Sequence, residues 1–256
     1  MTSMTTATSI TTEEIVQEIV AKVCTTANLL EVRDIEPFDV ALFLQQVGAS
    51  ALQVVSTHEG PVSTVIEKWH PVDCSKQTTQ FDLHTDGLYR YRVPDIVALY
   101  CENPGRGDSP TRFVDTRPAC RELESRGVMS TLRRSQIAYI GRDGRHFPSD
   151  LVQRHPVSGE EVLNLGARGY ICPMFDGGYA PSIREITEAV SEMYASLDRA
   201  VVLSHRWAKG QMVVCDNYTY VHGRDAHSPD TERTLLRFWF SVKARETPES
   251  QVTGKS

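Results

Sequence analysis

A mainly β fold, a sandwich or barrel-like core with helices packed on its outside, is what the sequence predicts. Three observations carry that expectation. Short β-rich runs recur from about residue 51 onwards, few stretches show helical periodicity, and residues 130–180 are studded with glycine and proline. A chain of 256 residues without internal repeat or linker reads as one domain.

The elements follow in order. Residues 1–11, rich in threonine and serine, are expected to be a disordered tail, with residues 12–256 forming the single folded domain. Thr12 is placed to cap a helix in which Ile15, Val16, Ile19, Val20 and Val23 recur at helical spacing. Ala51–Ser56, Asp95–Cys101 and Arg112–Asp115 read as strands, the last two separated by the turn-forming run Asn103–Pro110. Pro118–Arg126 reads as a short helix closed by Gly127. Ser182–Arg199 is the clearest helix, with Ile183, Ile186, Val190, Met193, Tyr194 and Leu197 on one stripe. Three β-like runs finish the chain: Gln211–Cys215, Tyr218–His222 after an Asp216-Asn217 turn, and Thr234–Lys243.

Composition excludes several function classes. With 27 basic against 33 acidic side chains, a net charge of −6 and a pI near 5.8, a protein that clamps phosphate backbones is not expected. No apolar run approaches the ~18 residues of a membrane helix. The first residues carry neither a basic segment nor an apolar one, so the expectation is a soluble cytoplasmic protein. Six cysteines without a CxxC pair are expected to be buried thiols rather than disulfides or zinc ligands.

The strongest local signal is Phe81-Asp82-Leu83-His84-Thr85-Asp86-Gly87. In extended chain, residues two apart project to one side, so His84 and Asp86 can meet at one atom. An imidazole and a carboxylate make two-thirds of a facial triad for non-haem Fe(II). Alone, such a pair arises readily by chance among eight histidines and 33 acids. His222 ends a later β-run and offers a third donor. Arg233 and Arg237 share the parity of Leu235 and Trp239 on the final strand. Buried arginines there require either acidic partners or an anionic ligand, unless one of them faces solvent at the strand end.

His84-Thr85-Asp86, then His222 with 137 residues between the two histidines, then arginines eleven and fifteen beyond it, resemble the taurine dioxygenase and 2,4-dichlorophenoxyacetate dioxygenase family of Fe(II)- and 2-oxoglutarate-dependent oxygenases. Asp216-Asn217 leading into His222-Gly223-Arg224 is similar to members acting on carnitine precursors and amino acids. Gly107–Asp115 is similar to the family's glycine-rich turn and threonine strand. The resemblance covers about residues 80–243 and implies a double-stranded β-helix (jelly-roll) core.

It further implies that His84, Asp86 and His222 bind Fe(II), and that Arg233 and Thr111 bind the distal carboxylate of 2-oxoglutarate. Arg237 corresponds to a second arginine near the cosubstrate or an anionic part of the substrate. Ser109-Pro110 departs from the family's shorter turn, and the arginine offset varies among subfamilies, so Arg233 and Arg237 can exchange roles. The implied reaction uses O2 to oxidise an aliphatic C–H of a small, carboxylate-bearing or amino-acid-derived molecule, releasing succinate and CO2. With Asp86 occupying the position that is a small residue in the related halogenases, hydroxylation, desaturation or cyclisation is implied rather than halogenation. Gln80, Leu88 and Tyr89 flank the metal motif as candidate substrate contacts, and Phe175–Tyr179 has the glycines of a lid.

Rival readings are a cupin-type metal protein without 2-oxoglutarate, and a non-catalytic binding protein on the same fold. Arg106-Gly107-Asp108 also spells a cell-adhesion motif and Asn217-Tyr218-Thr219 a glycosylation sequon. Both require export, for which the sequence offers no signal. The pattern leaves the oligomeric state open.

Overall fold

A computed structural model describes residues 10–25, 28–33, 35, 37–57, 60–67, 81–88, 93–106, 109–140, 146–166, 170–173, 180–225 and 233–243. In chain order its elements begin with α1 (Thr12–Glu18), which runs on as a π-helical segment Ile19–Cys24, then β1 (Leu29–Val32), α2 (Val40–Ala49), β2 (Leu52–Val54), β3 (Val62–Glu67) and β4 (Phe81–His84). There follow β5 (Ile96–Asn103), β6 (Thr111–Asp115), α3 (Thr116–Ser125), α4 (Met129–Leu132), β7 (Ser135–Ile140), β8 (His146–Asp150), β9 (Val152–Arg154), β10 (Glu161–Leu163) and β11 (Tyr170–Pro173). The last elements are α5 (Ile183–Arg199), β12 (Val201–His205), β13 (Met212–Asp216), β14 (Tyr220–Arg224) and β15 (Arg233–Val242).

Two antiparallel sheets form the jelly-roll. The larger runs β1-β13-β5-β15-β2, with β3 also paired to β15, and the smaller runs β12-β6-β14-β4. Side chains of alternate parity from each sheet meet between them: Val97, Leu99, Val213, Leu235 and Trp239 from the larger, Phe113 and Tyr220 from the smaller. The other parity of the larger sheet, including Ala98, Val214, Phe238 and Phe240, packs under α1 and α2 with Ile15, Ile19, Phe43 and Val47. Val114 and Val221 of the smaller sheet pack under α3, α4 and α5 with Leu123, Met129, Met193 and Leu197. With both faces covered, β13 is buried at every residue, which is why it reads as a continuous apolar run rather than an alternating one.

The mainly β class with flanking helices is as the sequence predicts, and the local differences have local causes. The helix cap is Thr11, not Thr12: its hydroxyl accepts from Glu14 N while Glu14 reaches back to Thr11 N, a closed capping box. The tail expected over residues 1–11 lies outside the described residues up to residue 9, whereas Thr11 belongs to the folded structure and Ile10 packs against the core. α3 starts before Pro118, because Asp115 caps it by accepting from Arg117 N at 2.9 Å. On α5, Ser182 closes a second capping box, and the buried stripe is Ile186, Ala189, Met193, Ser196 and Leu197. Ile183, at the open first residue of that helix, is 81% exposed. β4 falls in the segment read as extended, while α2, capped by Asp39, and strands β1, β3 and β12 have no counterpart in the sequence reading. Cys101, Cys120 and Cys215 are buried thiols, and no described helix is long and apolar enough to cross a membrane.

Candidate active site

The sheets place the chemistry between them. His84 ends β4 and lies directly opposite His222 on β14, and on the other side of β14, Val221 and His222 face Val114 and Phe113 of β6. Asp86 follows β4 in a turn closed by Gly87, whose φ of 76° is the left-handed backbone that favours glycine. β15, in the other sheet, points Arg233 and Arg237 into the same interior as Leu235 and Trp239, as their shared parity requires.

His84, Asp86 and His222 are all buried, and each offers a ligand atom within 4.8 Å of the others. His84 Nε2 lies 3.5 Å from Asp86 Oδ1 and His222 Nε2 lies 3.8 Å from Asp86 Oδ2. His84 Nδ1 sits 2.9 Å from the carbonyl of Asp82. A carbonyl can only accept, so Nδ1 carries the proton and Nε2 keeps its lone pair towards the cluster. Two imidazoles and one carboxylate converging in this way are a donor set that would hold a divalent iron.

The carboxylate is held from β15. Arg237 Nη1 donates to Asp86 Oδ1 at 3.2 Å and Trp239 Nε1 to Oδ2 at 3.0 Å. Arg237 also donates to Ser63 Oγ of β3 at 3.1 Å, and its guanidinium lies 5.0 Å from the Trp239 ring centroid. Burial by itself raises the Asp86 carboxyl, but the Arg237 guanidinium, with His84 and His222, outweighs it and holds the group well below the usual carboxylate range. Burial, reinforced by the neighbouring His84 and Arg237 and opposed by Asp86, pushes the His222 imidazole down to about 3. A neutral imidazole is the form that can bind metal.

The backbone of the motif is clamped at two successive residues. Thr85 N donates to Leu165 O at 2.7 Å while its hydroxyl accepts from Leu165 N at 3.2 Å. Asn217, fully buried, accepts from Asp86 N at 3.0 Å and donates through Nδ2 to Asp86 O at 3.0 Å and to Pro94 O at 2.9 Å. Asn217 is presented by a turn that Asp216 builds, its Oδ1 accepting from Tyr218 N and Thr219 N at 3.0 and 2.9 Å. This turn delays the strand, so β14 begins at Tyr220 and not at Tyr218. The other Asp216 oxygen receives His155 Nε2 at 3.2 Å, both side chains being inaccessible to solvent. His155 Nδ1 accepts from Val157 N and Ser158 N, which leaves its proton on Nε2.

Towards the other end of the interior lie Thr111 and Arg233. Arg233, 2% exposed, donates from Nη1 to Ser109 O at 2.6 Å. Thr111 is buried at the start of β6, opposite His205 of β12 and Arg224 of β14. Trp207 Nε1 donates to its hydroxyl at 2.8 Å.

Of the residues singled out from sequence, His84, Asp86, His222 and Arg237 come together, with Thr111 and Arg233 buried in the same interior; Leu88 is buried. Gln80, Tyr89 and the Phe175–Tyr179 segment lie outside the described residues. The sequence reading missed Ser63, Trp207 and the carboxylate contact of Trp239. Strand parity with Arg237 was a usable signal for Trp239; nothing local marked Ser63 or Trp207. Asn217 was noticed as a turn residue and as part of the Asp216–Arg224 resemblance, but not as the clamp on Asp86.

Known proteins resemble this chain in sequence and in fold. The model of the taurine catabolism dioxygenase TauD, TfdA family matches residues 25–239. Tyrosine isonitrile desaturase of Pseudomonas aeruginosa is 28% identical over 197 residues, 70% of this chain and 65% of that protein, so the match spans just under two thirds of the relative's length. The 3-((Z)-2-isocyanoethenyl)-1H-indole synthase of Fischerella ambigua is 22% identical over 196 residues, 70% of this chain and 69% of that protein. Among solved structures, PvcB, an Fe, alpha-ketoglutarate dependent oxygenase from an isonitrile synthetic pathway, shares the fold with a TM-score of 0.70 at 21% identity, over 89% of this chain and 82% of PvcB. Asparagine oxygenase, solved with Fe(II), 2S,3S-3-hydroxyasparagine and succinate, shares it at 0.69 and 15% identity, over 90% of this chain and 79% of its own. On the family match over most of its length and on its jelly-roll fold, the chain belongs to the taurine catabolism dioxygenase TauD, TfdA family of Fe(II)- and 2-oxoglutarate-dependent oxygenases.

Proposed function

We propose that this chain oxidises an aliphatic C–H of a small, carboxylate-bearing, amino-acid-derived substrate, with His84, Asp86 and His222 holding the iron. The single observation that carries the metal assignment is the convergence of two imidazoles and one carboxylate within 4.8 Å in a buried interior. When bound, iron with 2-oxoglutarate supplies the oxidising power, and the chain supplies placement and exclusion of water. Arg233 and Thr111 grip the distal carboxylate of the cosubstrate. Arg237, at the rim of the cluster and tied to Asp86, meets the anionic end of the substrate or cosubstrate.

Two relatives carry names that refer to isonitriles, one of them a desaturase of a tyrosine isonitrile. They favour an isonitrile derivative of an aromatic amino acid as substrate and desaturation as the outcome. The asparagine oxygenase neighbour, bound to 3-hydroxyasparagine, instead favours hydroxylation of a free amino acid. Product mass separates the two: loss of two hydrogen atoms marks the first, gain of one oxygen atom the second.

The metal assignment is tested by anaerobic addition of Fe(II) and 2-oxoglutarate, which gives a visible charge-transfer band in the wild type. Asp86→Ala and His222→Ala are expected to abolish it; a band unchanged in both variants refutes the triad. Succinate release is then scanned across amino acids and their isonitrile derivatives, and no stimulation by any of them counts against the substrate class.

A further inference from the structure

The geometry points to Trp207 as a positioning residue that fixes Thr111 as a hydrogen-bond donor to the distal carboxylate of the cosubstrate. The inference rests on the proposed distal pocket and deepens it. A threonine hydroxyl has one proton and two lone pairs, so by itself it can turn to accept or to donate. Here the Trp207 indole N–H, which can only donate, points at Thr111 Oγ1 from 2.8 Å. That contact fills an acceptor site and directs the hydroxyl proton elsewhere. Among the described residues the proton has no acceptor, and Thr111 is only 5% exposed. A buried hydroxyl so constrained is completed by an anionic or carbonyl oxygen entering the pocket, and charge-assisted bonds of that kind are the stronger ones.

The indole is itself held in place. The His205 imidazole lies edge-on to it, ring centroids 4.4 Å apart at 80°. His205 pairs in register with Thr111 across β12 and β6, so the ring that steadies Trp207 and the hydroxyl it addresses are set by one strand pair. Arg233, fixed by Ser109 O, brings the positive charge. The pocket therefore combines an oriented neutral donor with a guanidinium, and Trp207 acts on the ligand only through Thr111.

The test is a double-mutant cycle on 2-oxoglutarate affinity, read from the anaerobic charge-transfer band, with Co(II) affinity and thermal unfolding measured alongside. Trp207→Phe removes the N–H and keeps an aromatic ring beside His205 at a smaller volume, a packing change that the pyruvate and Thr111→Val arms control for. It is expected to weaken 2-oxoglutarate about tenfold, equivalent to about 1.4 kcal/mol, with Co(II) affinity unchanged. Thr111→Val is expected to weaken it at least as much, and Trp207→Phe added to Thr111→Val to cost less than a further twofold. Pyruvate, which has the chelating end without the distal carboxylate, is expected to bind Trp207→Phe as it binds the wild type.

A Trp207→Phe effect that persists undiminished in the Thr111→Val background, or that is equally large for pyruvate, would show a general packing role and overturn the inference. So would an unchanged affinity in Trp207→Phe when Thr111→Val is impaired. Unchanged affinity in Thr111→Val itself overturns the distal-pocket reading and this inference with it. If Trp207→Phe does not fold, Thr111→Ser provides the second arm: it keeps the hydroxyl and is expected to retain wild-type affinity, and a loss equal to that of Thr111→Val refutes the donor role.

Discussion

Asn217→Asp is the change from which most can be learned, because it alters the support of Asp86 without touching a ligand atom. The substitution keeps shape and keeps an acceptor for Asp86 N. It replaces the amide NH2 that donates to Asp86 O and Pro94 O by an oxygen facing two carbonyls. Each buried carbonyl left without a donor costs about 1–3 kcal/mol, giving about 2–6 kcal/mol for the pair. Against a total stability of about 5–15 kcal/mol this is a large fraction. At about 3 kcal/mol, and with about 2–4 °C per kcal/mol for a chain of this size, Tm falls by about 6–12 °C.

The introduced carboxyl is fully buried and ionises against carbonyl oxygens, so its folded pKa rises above the unfolded value of about 3.9. The native state then binds the extra proton, and the variant's deficit widens as pH rises from about 4 towards that raised pKa. Urea unfolding of the metal-free wild type and variant from pH 4.5 to 8, fitted with a common m, measures the difference. Metal affinity, read with Co(II), is expected to fall by about 10–100-fold, as for other losses of support behind a ligand. A stability difference below about 0.5 kcal/mol, or one independent of pH, would refute the clamp.

Two further outcomes follow from the geometry. Arg233→Ala is expected to weaken 2-oxoglutarate about tenfold or more while leaving Co(II) affinity intact, measured by band titration; equal affinity in the variant moves the cosubstrate role to Arg237. His155→Phe removes one partner of a carboxylate with no solvent access and is expected to cost about 3–5 kcal/mol in urea unfolding. A loss below 1 kcal/mol would show that Asp216 is satisfied without His155.

Much of this was written locally in the chain. HxD spacing, a histidine at the end of a β-run, and arginines of matching parity on an apolar strand are properties of one strand at a time, and strand periodicity resolves them. The helix end at Gly127 was legible for the same reason, whereas the first cap slipped by one residue, from Thr11 to Thr12, and the caps Asp39 and Asp115 were not read. What was not legible depends on which strands become neighbours. Ser63 meets Arg237 because β3 lies against β15, and Trp207 meets Thr111 because β12 pairs with β6. Periodicity carries no information about pairing. Asn217 was visible as a turn residue, but its use of both amide ends on Asp86 is a matter of tertiary approach. α2 was missed because an unbroken apolar run, Val40–Leu44, followed by two glutamines masks the helical spacing; Phe43 and Val47 are buried, with Val40 and Leu44 packed partly buried against the same core.

The contacts around Asp86 also constrain how the molecule comes into being. Its hydrogen-bond partners Asn217, Arg237 and Trp239 stand 131, 151 and 153 residues away along the chain. Loops of that length close late and slowly, after local helices and hairpins have formed. An unfolded or half-folded chain therefore has no cluster for an ion to recognise, unlike a zinc finger, whose closely spaced ligands let the metal nucleate the fold. Assembly of the two sheets must come first, and metal capture is a step performed by a finished barrel.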